Sequence, residues 1–241
     1  MCIIQQPQLG DSYPQIEAIK MAAAHIQAYK TDNSKVVSSV VVQAGDLIVV
    51  GYGSVNYYNS AITITDNNSG GSNEYDFAIY NEDGNSSWCG YIYYAIASAN
   101  ATLQITVTDS TSSQPAVYVH VARGCLATLS LVLDSASSGI DTSRDTVHTS
   151  GNVTTSVTGC YLFTFWNNHD NGGTITDTAG FTIRQSNYTA QAAASMDKIS
   201  GAPGSYNDTI NTDTATYENV VIAAFKPAAS SYDSTKMMFA A

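Results

Sequence analysis

Short apolar segments separated by polar, turn-forming clusters run through most of this chain. Within 102–109, Leu103, Ile105 and Val107 alternate with threonines and a glutamine, which is the pattern of a strand with one buried and one wet face. Asn, Gly and Ser clusters bound these segments, as turns require. We therefore predict strands at 35–55 (two strands with a bend at Gly45-Asp46), 76–80, 90–97, 102–109, 116–122, 152–158, 160–166, 180–185 and 219–227.

The segment 15–30 (QIEAIKMAAAHIQAYK) fits two structures. Its composition favours a helix, and Ile16, Ile19, Ala23 and Ile26 stand at roughly helical spacing. Ile16 also begins a series that alternates as in a strand. Because tertiary context often overrides propensity, an otherwise all-β chain favours the strand.

The sequence Thr-Ile-Thr-Asp occurs at 63–66 and again at 174–177, and both copies run towards glycine. Around each copy the same features follow in the same order: a Ser/Thr-rich strand, a glycine bend, an apolar strand and, after a polar section, a closing apolar strand with a basic residue. This shared order favours equivalent strand ends, with the aspartates starting turns, over a pair of ligand-binding loops.

The repeat predicts an all-β fold. We expect an antiparallel, jelly-roll-like β-sandwich that forms a single domain from two pseudo-repeated halves, 15–128 and 129–228. Each half should supply strands to both sheets, because half a sandwich cannot bury its own apolar face. Residues 1–14 are assigned to an N-terminal arm and residues 229–241 to a C-terminal tail.

The charge of the chain narrows the classes of partner. It has 20 acidic and 9 basic side chains, and its net charge of −11 repels a phosphate backbone and anionic lipid. We therefore expect no nucleic-acid and no membrane partner, and no apolar run approaches the roughly 20 residues of a membrane span. The N-terminus lacks the features of a secretory signal. Either the chain is exported without a signal, as a virion protein released by lysis would be, or Met1 replaces one.

The sequence contains no motif typical of catalysis. A nucleophile elbow, a zinc-protease helix, a phosphate loop and a dinucleotide fingerprint are all missing, and no two carboxylates can be paired as in a glycosidase. The four histidines are scattered along the chain. We therefore expect no enzyme activity. The cysteines Cys2, Cys89, Cys125 and Cys160 fit either buried thiols or one disulfide.

Three oxygen-rich loops are candidates for a calcium site. They contain Asp66, Asp83 and Asp170, and carboxylate and amide oxygens are the ligands that Ca²⁺ prefers. None of them has EF-hand spacing, and Asx and Gly recur in such loops simply because they tolerate turn geometry. The calcium hypothesis is therefore the minor one, and we predict no cofactor.

Aromatic residues beside amides raise the hypothesis of a glycan platform. Tyr57, Tyr58 and Trp88 stand at predicted junctions between loops and strands, where their rings could stack on sugars. The plainer interpretation is that Tyr and Trp are good strand residues with one polar end. In the segment 90–97, Tyr91 and Tyr93 share one face of the strand, as strand packing requires.

Both termini carry apolar side chains that would be a liability on a free monomer. Ile3 and Ile4 lie in the N-terminal arm, and Met237, Met238 and Phe239 lie in the C-terminal tail. One hypothesis is that these residues dock onto neighbouring subunits as assembly arms. The alternative is that the termini are frayed.

Six motifs spread over 36–227 carry a resemblance to a known family. They are Ala44-Gly45-Asp46-Leu47-Ile48-Val49-Val50, Thr65-Asp66, Tyr93-Tyr94-Ala95, Gly180-Phe181-Thr182-Ile183-Arg184, Ala202-Pro203-Gly204-Ser205-Tyr206 and Val221-Ile222-Ala223-Ala224-Phe225-Lys226-Pro227. With these motifs the chain resembles the β-sandwich domains of phage structural proteins and of large secreted bacterial surface proteins. Where that family has a tryptophan in its last strand, this chain has Glu218-Asn219.

The resemblance implies a non-enzymatic structural protein. We expect a subunit on the surface of a phage virion that decorates or stabilises a capsid, tail or fibre, with protein subunits as partners, including further copies of itself. The alternative is a carbohydrate-binding or adhesion module of an extracellular bacterial surface protein, with glycans as partners.

Overall fold

The computed structural model describes residues 22–55, 62–82, 88–109, 113–140, 143–168, 174–188 and 192–228. Across these residues the fold is all-β, with strands in antiparallel sheets and one short helix, α1 (Leu129–Val132). The residues from 22 to 228 belong to one compact unit. The strand preferred for 15–30 is present from Ala24 onwards, and residues 15–21 lie outside the described ranges.

Strands of the first half form two sheets. A five-stranded sheet has the order β1-β8-β3-β6-β5, and a three-stranded sheet has the order β2-β7-β4; we call them the first inner and first outer sheet. The strands are β1 (Ala24–Asp32), β2 (Val36–Val42), β3 (Leu47–Val55), β4 (Thr63–Asp66), β5 (Tyr75–Glu82), β6 (Trp88–Ile96), β7 (Ala101–Thr108) and β8 (Ser113–Arg123).

Strands of the second half repeat this arrangement. The second inner sheet has the order β14-β15-β12-β18-β9, and the second outer layer consists of β10-β17-β13 and the pair β11-β16. The strands are β9 (Leu133–Ile140), β10 (Asp145–Thr149), β11 (Val153–Thr155), β12 (Tyr161–Asn168), β13 (Ile175–Asp177), β14 (Thr182–Asn187), β15 (Ala193–Ile199), β16 (Gly204–Tyr206), β17 (Thr209–Thr216) and β18 (Glu218–Phe225).

Strand pairing within each half is nested. The first half pairs β1 with β8, β2 with β7 and β3 with β6, and the second half pairs β9 with β18, β10 with β17, β11 with β16 and β12 with β15. Nested antiparallel pairs distributed over two sheets are the topology of a jelly roll. The predicted sandwich of two similar halves is therefore confirmed.

The two copies of Thr-Ile-Thr-Asp also take equivalent places. β4 and β13 each pair with the penultimate strand of their half, and each ends at an aspartate. The Asp66 carboxylate accepts the backbone N–H of Asn68 at 3.0 Å, and the Asp177 carboxylate accepts that of Ala179 at 2.8 Å. Both aspartates therefore start Asx turns, as the sequence predicted.

One detail of the prediction is wrong, because the halves do not share two sheets. In the described ranges every strand pairs with strands of its own half, and an isolated bridge between Cys125 and Pro227 joins the halves outside the strands. Each half is long enough to cover its inner sheet with an outer one and to bury a core between them, around Val50 and Leu103 in the first half and around Trp166 and Ile210 in the second.

The two inner sheets pack against each other and form a third core. Val49 and Tyr118 of the first half meet Phe163, Phe165 and Phe225 of the second, and all five are fully buried. Inner strands therefore have apolar neighbours on both faces, and every residue of β12 and β18 is buried. This explains why their sequences read as continuous apolar runs rather than as alternating ones.

A glycine permits the closest approach of the two inner sheets. A Cβ atom added at Gly51 of β3 would lie 2.6 Å from Cδ2 and 3.0 Å from Cβ of Phe165. The ring of Phe165 thus fills the space that a side chain at position 51 would occupy, and only glycine allows this contact.

We expect Gly51→Ala to lower the free energy of unfolding by about 1–3 kcal/mol, because the added methyl overpacks the contact with Phe165. Urea unfolding monitored by circular dichroism measures the change. Gly70→Ala is the matched control, because nothing lies within 4 Å of a Cβ at Gly70, and it should change stability by less than about 0.5 kcal/mol. Equal effects of the two substitutions would contradict the packing argument.

Candidate functional site

A group of polar side chains lies between the two inner sheets, where apolar packing otherwise prevails. We call it the interface cluster. Its members come from five strands and both halves: His25 of β1, His120 of β8, Tyr161 of β12, Arg184 of β14, and Ser195 and Asp197 of β15.

Strand geometry brings these residues together. On β8, His120 is two residues away from both Tyr118 and Ala122. Residues at this spacing share a face of a strand, so His120 faces the second inner sheet as they do. A register shift in β1 between His25 and Gln27 accompanies the placement of His25 on this face. A second shift, in β14 between Ile183 and Gln185, marks a bulge at Arg184. Bulges commonly re-aim a side chain in this way.

Hydrogen bonds connect the cluster across the interface. The His120 ring meets the Tyr161 hydroxyl at Nδ1 and the Ser195 hydroxyl at Nε2, both at 2.8 Å. His25 Nδ1 lies 3.4 Å from the Tyr161 hydroxyl and 3.4 Å from Asp197 Oδ2. Arg184 donates to both oxygens of Asp197, from Nε at 2.6 Å and from Nη2 at 3.3 Å. Such a network strongly favours one arrangement of the two halves.

Burial keeps both imidazoles neutral. It holds the pKa of His120 well below its usual value, and the charge of Arg184, with that of His25 whenever His25 is protonated, lowers this pKa further. The pKa of His25 is also lowered by burial, although the Asp197 carboxylate opposes the shift. Burial and the charge of Asp197 raise the pKa of the Tyr161 hydroxyl well above its usual value. The cluster thus offers neutral ring nitrogens beside one carboxylate.

The Ser195–His120 pair resembles part of a hydrolase triad but is inaccessible. Both residues are fully buried between sheets, so no substrate carbonyl could reach the Ser195 hydroxyl. Arg184 and His25 are the members that reach solvent, with 34% and 13% of their side chains exposed. A small ion could therefore reach the cluster where a larger substrate could not.

Two carboxyl groups face each other in the second half. Asp208, fully buried, precedes β17, and Asp177 ends β13. Within the described ranges no hydrogen bond of ordinary geometry reaches the Asp208 carboxyl, although the Asp177 carboxyl and the Thr164 hydroxyl lie close enough to interact with it. Burial, then the charge of Asp177, raises the pKa of Asp208 to about 7. About half of the Asp208 carboxyls therefore carry a proton at pH 7. Because Asp208 is fully buried, the two carboxyl groups do not flank an open cleft for a sugar.

Glu218, the first residue of β18, is buried and holds its polar neighbours in place. Its carboxylate accepts the indole N–H of Trp166 and the hydroxyl of Thr216, and one of its oxygens lies 3.2 Å from Nε2 of His148. The sequence did not indicate this role. A lone glutamate at the start of an apolar strand is the only signal that could have indicated it.

The calcium hypothesis is wrong for Asp66. Oδ1 accepts the backbone N–H groups of Asn68 and Asn73, and Oδ2 accepts the Asn73 side-chain amide at 2.7 Å and the Tyr75 hydroxyl at 2.9 Å. Donors surround the carboxylate, so it holds a loop together and does not face a cation. Asp83 and Asp170 lie outside the described residues.

The glycan hypothesis is wrong for Trp88. Its side chain is buried, with 4% of the residue exposed, so its ring has no open face for a sugar. β6 is buried along most of its length, and its first residue, Trp88, is buried with the rest. Tyr57 and Tyr58 lie outside the described residues, and so do the assembly-arm residues Ile3, Ile4, Met237, Met238 and Phe239.

A different set of aromatic residues is exposed. Phe77 and Tyr80 of β5 lie beside Tyr93 and Tyr91 of β6 on the outer face of the first inner sheet, and we call these four the aromatic strip. The ring centroids of Phe77 and Tyr93 are 5.4 Å apart, and those of Tyr80 and Tyr91 are 5.8 Å apart. Phe77 is 42% and Tyr80 49% exposed.

A bulge creates the exposed end of the strip. The register of β5 shifts between Phe77 and Ile79, so Phe77 and Tyr80 reach the same face although they are three residues apart. Simple alternation would have put them on opposite faces. The strip could therefore not be predicted from sequence, whereas the shared face of Tyr91 and Tyr93 is confirmed.

The described cysteines are buried thiols. Cys89, Cys125 and Cys160 form no disulfide with one another. Burial raises the pKa of Cys125 to about 12 and that of Cys160 to about 11, which makes both poor nucleophiles. Cys2 lies outside the described residues.

No known protein family, curated protein or solved structure matches this chain. In the part of the chain that the structure describes, no helix has the length and apolar character needed to cross a membrane.

The Asp177–Asp208 pair should make stability depend on pH. The pKa of Asp208 is higher in the folded protein (about 7) than its ordinary value of 3.8, so its contribution is complete below about pH 4 and is lost as the pH rises towards 7. The loss is at most about 4 kcal/mol, since each pKa unit corresponds to about 1.4 kcal/mol.

Denaturant unfolding between pH 4 and pH 8 measures this effect. Asp208→Asn imitates the protonated acid, so it should flatten the profile and be more stable than the unchanged protein at the alkaline end. Asp145→Asn, at an exposed position on β10, should leave the profile unchanged. A wild-type profile that rises through this range would refute the raised pKa of Asp208.

Proposed function

We propose that this chain is a non-enzymatic structural subunit of a virion surface or a similar surface assembly, and that it docks to protein subunits through the aromatic strip. The observation that carries the proposal is the exposure of Phe77 and Tyr80 on an otherwise well-packed sheet face. Clustered exposed aromatic side chains are typical of surfaces that bind a partner.

Sheet widths explain why the strip is uncovered. The first outer sheet has three strands and the inner sheet beneath it has five, so the outer sheet does not cover all of β5 and β6. The two exposed rings pack against the partly buried Tyr93 and the buried Tyr91 on the neighbouring strand. A supported ring loses little conformational freedom on binding, which favours its use as an anchor.

The rest of the molecule fits a scaffold role. Three cores hold the sheets in one arrangement, and the interface cluster is enclosed between the two inner sheets. The resemblance of 36–227 to β-sandwich domains of phage structural proteins supports the same role. The net charge of −11 keeps single copies soluble and should weaken contacts between copies at low ionic strength.

Self-association can be measured directly on the purified chain. Sedimentation velocity should detect dimers that strengthen as salt rises from about 0.1 M to about 1 M, because salt screens the repulsion between acidic copies. The double variant Phe77→Ser/Tyr80→Ser should weaken the association about 30-fold, which corresponds to two anchors of about 1 kcal/mol each.

Leu131→Ser is the matched control, because Leu131 is 56% exposed but lies on α1, outside the strip. It should leave the dimer unchanged. A chain that stays monomeric at all concentrations and salt levels, or equal losses in the two variants, would exclude the strip as a self-docking face.

Glycan binding is the second candidate, and the exposed ring of Tyr80 favours it. Tyr80 combines an exposed aromatic face, on which a pyranose ring can stack, with its own phenolic hydroxyl, which can form a hydrogen bond to the sugar. A glycan array should then show hits that Tyr80→Ala abolishes and Leu131→Ala preserves. An array without hits, or hits that persist in Tyr80→Ala, removes this candidate and leaves protein docking.

A further inference from the structure

We propose that His25, His120 and Asp197 bind a divalent first-row transition-metal ion between the two halves, with Zn²⁺ as the representative ion. In the described part of the chain these three form the one group in which three His, Cys, Asp or Glu side chains bring ligand atoms within 4.8 Å of one another. Two imidazoles and a carboxylate are a common ligand set for such ions.

The spacing already fits part of a tetrahedron. Zn²⁺ bonds to nitrogen and oxygen are about 2.0–2.1 Å long, so ligand atoms around a tetrahedral ion lie about 3.3–3.4 Å apart. His25 Nδ1 and Asp197 Oδ2 are 3.4 Å apart. The remaining adjustment falls to His25, which is partly exposed and can rotate more freely than its buried partners.

Neighbouring groups orient the ligands as they do in metal sites. When Nε2 of His120 carries its proton and donates to Ser195, the lone pair of Nδ1 points into the cluster. Asp197 receives its shorter bond from Arg184 at Oδ1, while Oδ2 lies near His25. Hydrogen bonds to the far side of a ligand fix its tautomer and direction.

The Tyr161 hydroxyl marks the position of a fourth ligand. It lies 3.4 Å from His25 Nδ1, which is the spacing of two tetrahedral ligands, and 2.8 Å from His120 Nδ1, a distance that must lengthen by about 0.5 Å. Binding of the ion replaces these two hydrogen bonds.

The ion would join the halves of the molecule. His25 and His120 belong to the first half and Asp197 to the second, so the three bonds cross the interface of the inner sheets. A metal that binds only the folded protein raises its stability in proportion to the logarithm of the metal concentration. The bound ion would thus cross-link the two halves. The metal proposal does not depend on docking through the aromatic strip.

Titration calorimetry of the full chain with ZnCl₂, after removal of bound metal with a chelator, tests the proposal. We expect saturable binding of one ion per chain and a thermal unfolding midpoint that rises with zinc. Co²⁺ should give the visible spectrum of a tetrahedral site, and Ca²⁺, which prefers oxygen ligands, should not bind.

His25→Gln should weaken Zn²⁺ binding more than about 100-fold, because even changes behind the ligands cost about 10- to 100-fold. Lys30→Gln is the matched control: Lys30 lies on the same strand and contacts Ser186 across the same interface without an imidazole. It should bind zinc as the unchanged chain does.

Ser195→Ala is a second variant, which keeps all three ligands and should weaken binding about 10-fold or more by releasing His120. Circular dichroism verifies that each variant is folded. An unchanged chain that binds no zinc, or a folded His25→Gln variant that binds it equally well, would overturn the proposal.

Discussion

The contact between the two inner sheets is the interaction on which the rest of the structure depends. Each inner sheet is apolar on both faces, so neither half could expose its inner sheet to water without a large loss of hydrophobic stabilisation. The contact is also sterically specific, because Phe165 fits only against Gly51. It therefore fixes the position of one half on the other, and with it the position of every group that contains residues from both.

Polar groups inside this contact need hydrogen-bond partners within the protein, whereas polar groups at the surface can bond to water. The hydrogen bonds of His120 to Tyr161 and Ser195 come from strands of different halves, so a shift of one sheet would leave buried polar atoms without partners. Such a loss costs about 1–3 kcal/mol per group. Apolar packing thus stabilises the contact, and the interface cluster makes it directional.

Much of the architecture could be predicted from sequence because strand patterns and repeats are local signals. The alternation of 102–109 and the two Thr-Ile-Thr-Asp strand ends led to the sandwich and its halves. The strands β9, β10, β15, β16 and β17 were missed. In β9 and β17 the reason is that Ser and Thr dominate and no apolar run marks them. The four-layer arrangement was missed as well, because an apolar run does not reveal which sheet covers each of its faces.

The functional groups were harder to predict, because they depend on register and on contacts between distant strands. Because of the bulge in β5, Phe77 and Tyr80 lie on the same exposed face; without it they would lie on opposite faces of the strand. His25 and Asp197 are brought together only by the packing of the two halves. Sequence reasoning chose Trp88 from its loop context, but a residue at a strand start can face inwards as readily as outwards.

β5 and β14 each contain a bulge at the equivalent position, and this bears on how many docking faces the molecule has. Both strands shift register at the same point, so the second-half counterparts of the strip can be identified as Ile183, Ser186, Ala194 and Met196. None of them is aromatic. Within the described ranges the two similar halves thus carry one aromatic strip between them, the face through which we propose that the chain docks. Two such faces on one chain would link copies into open strings, whereas a single face that meets its own kind is satisfied by a pair.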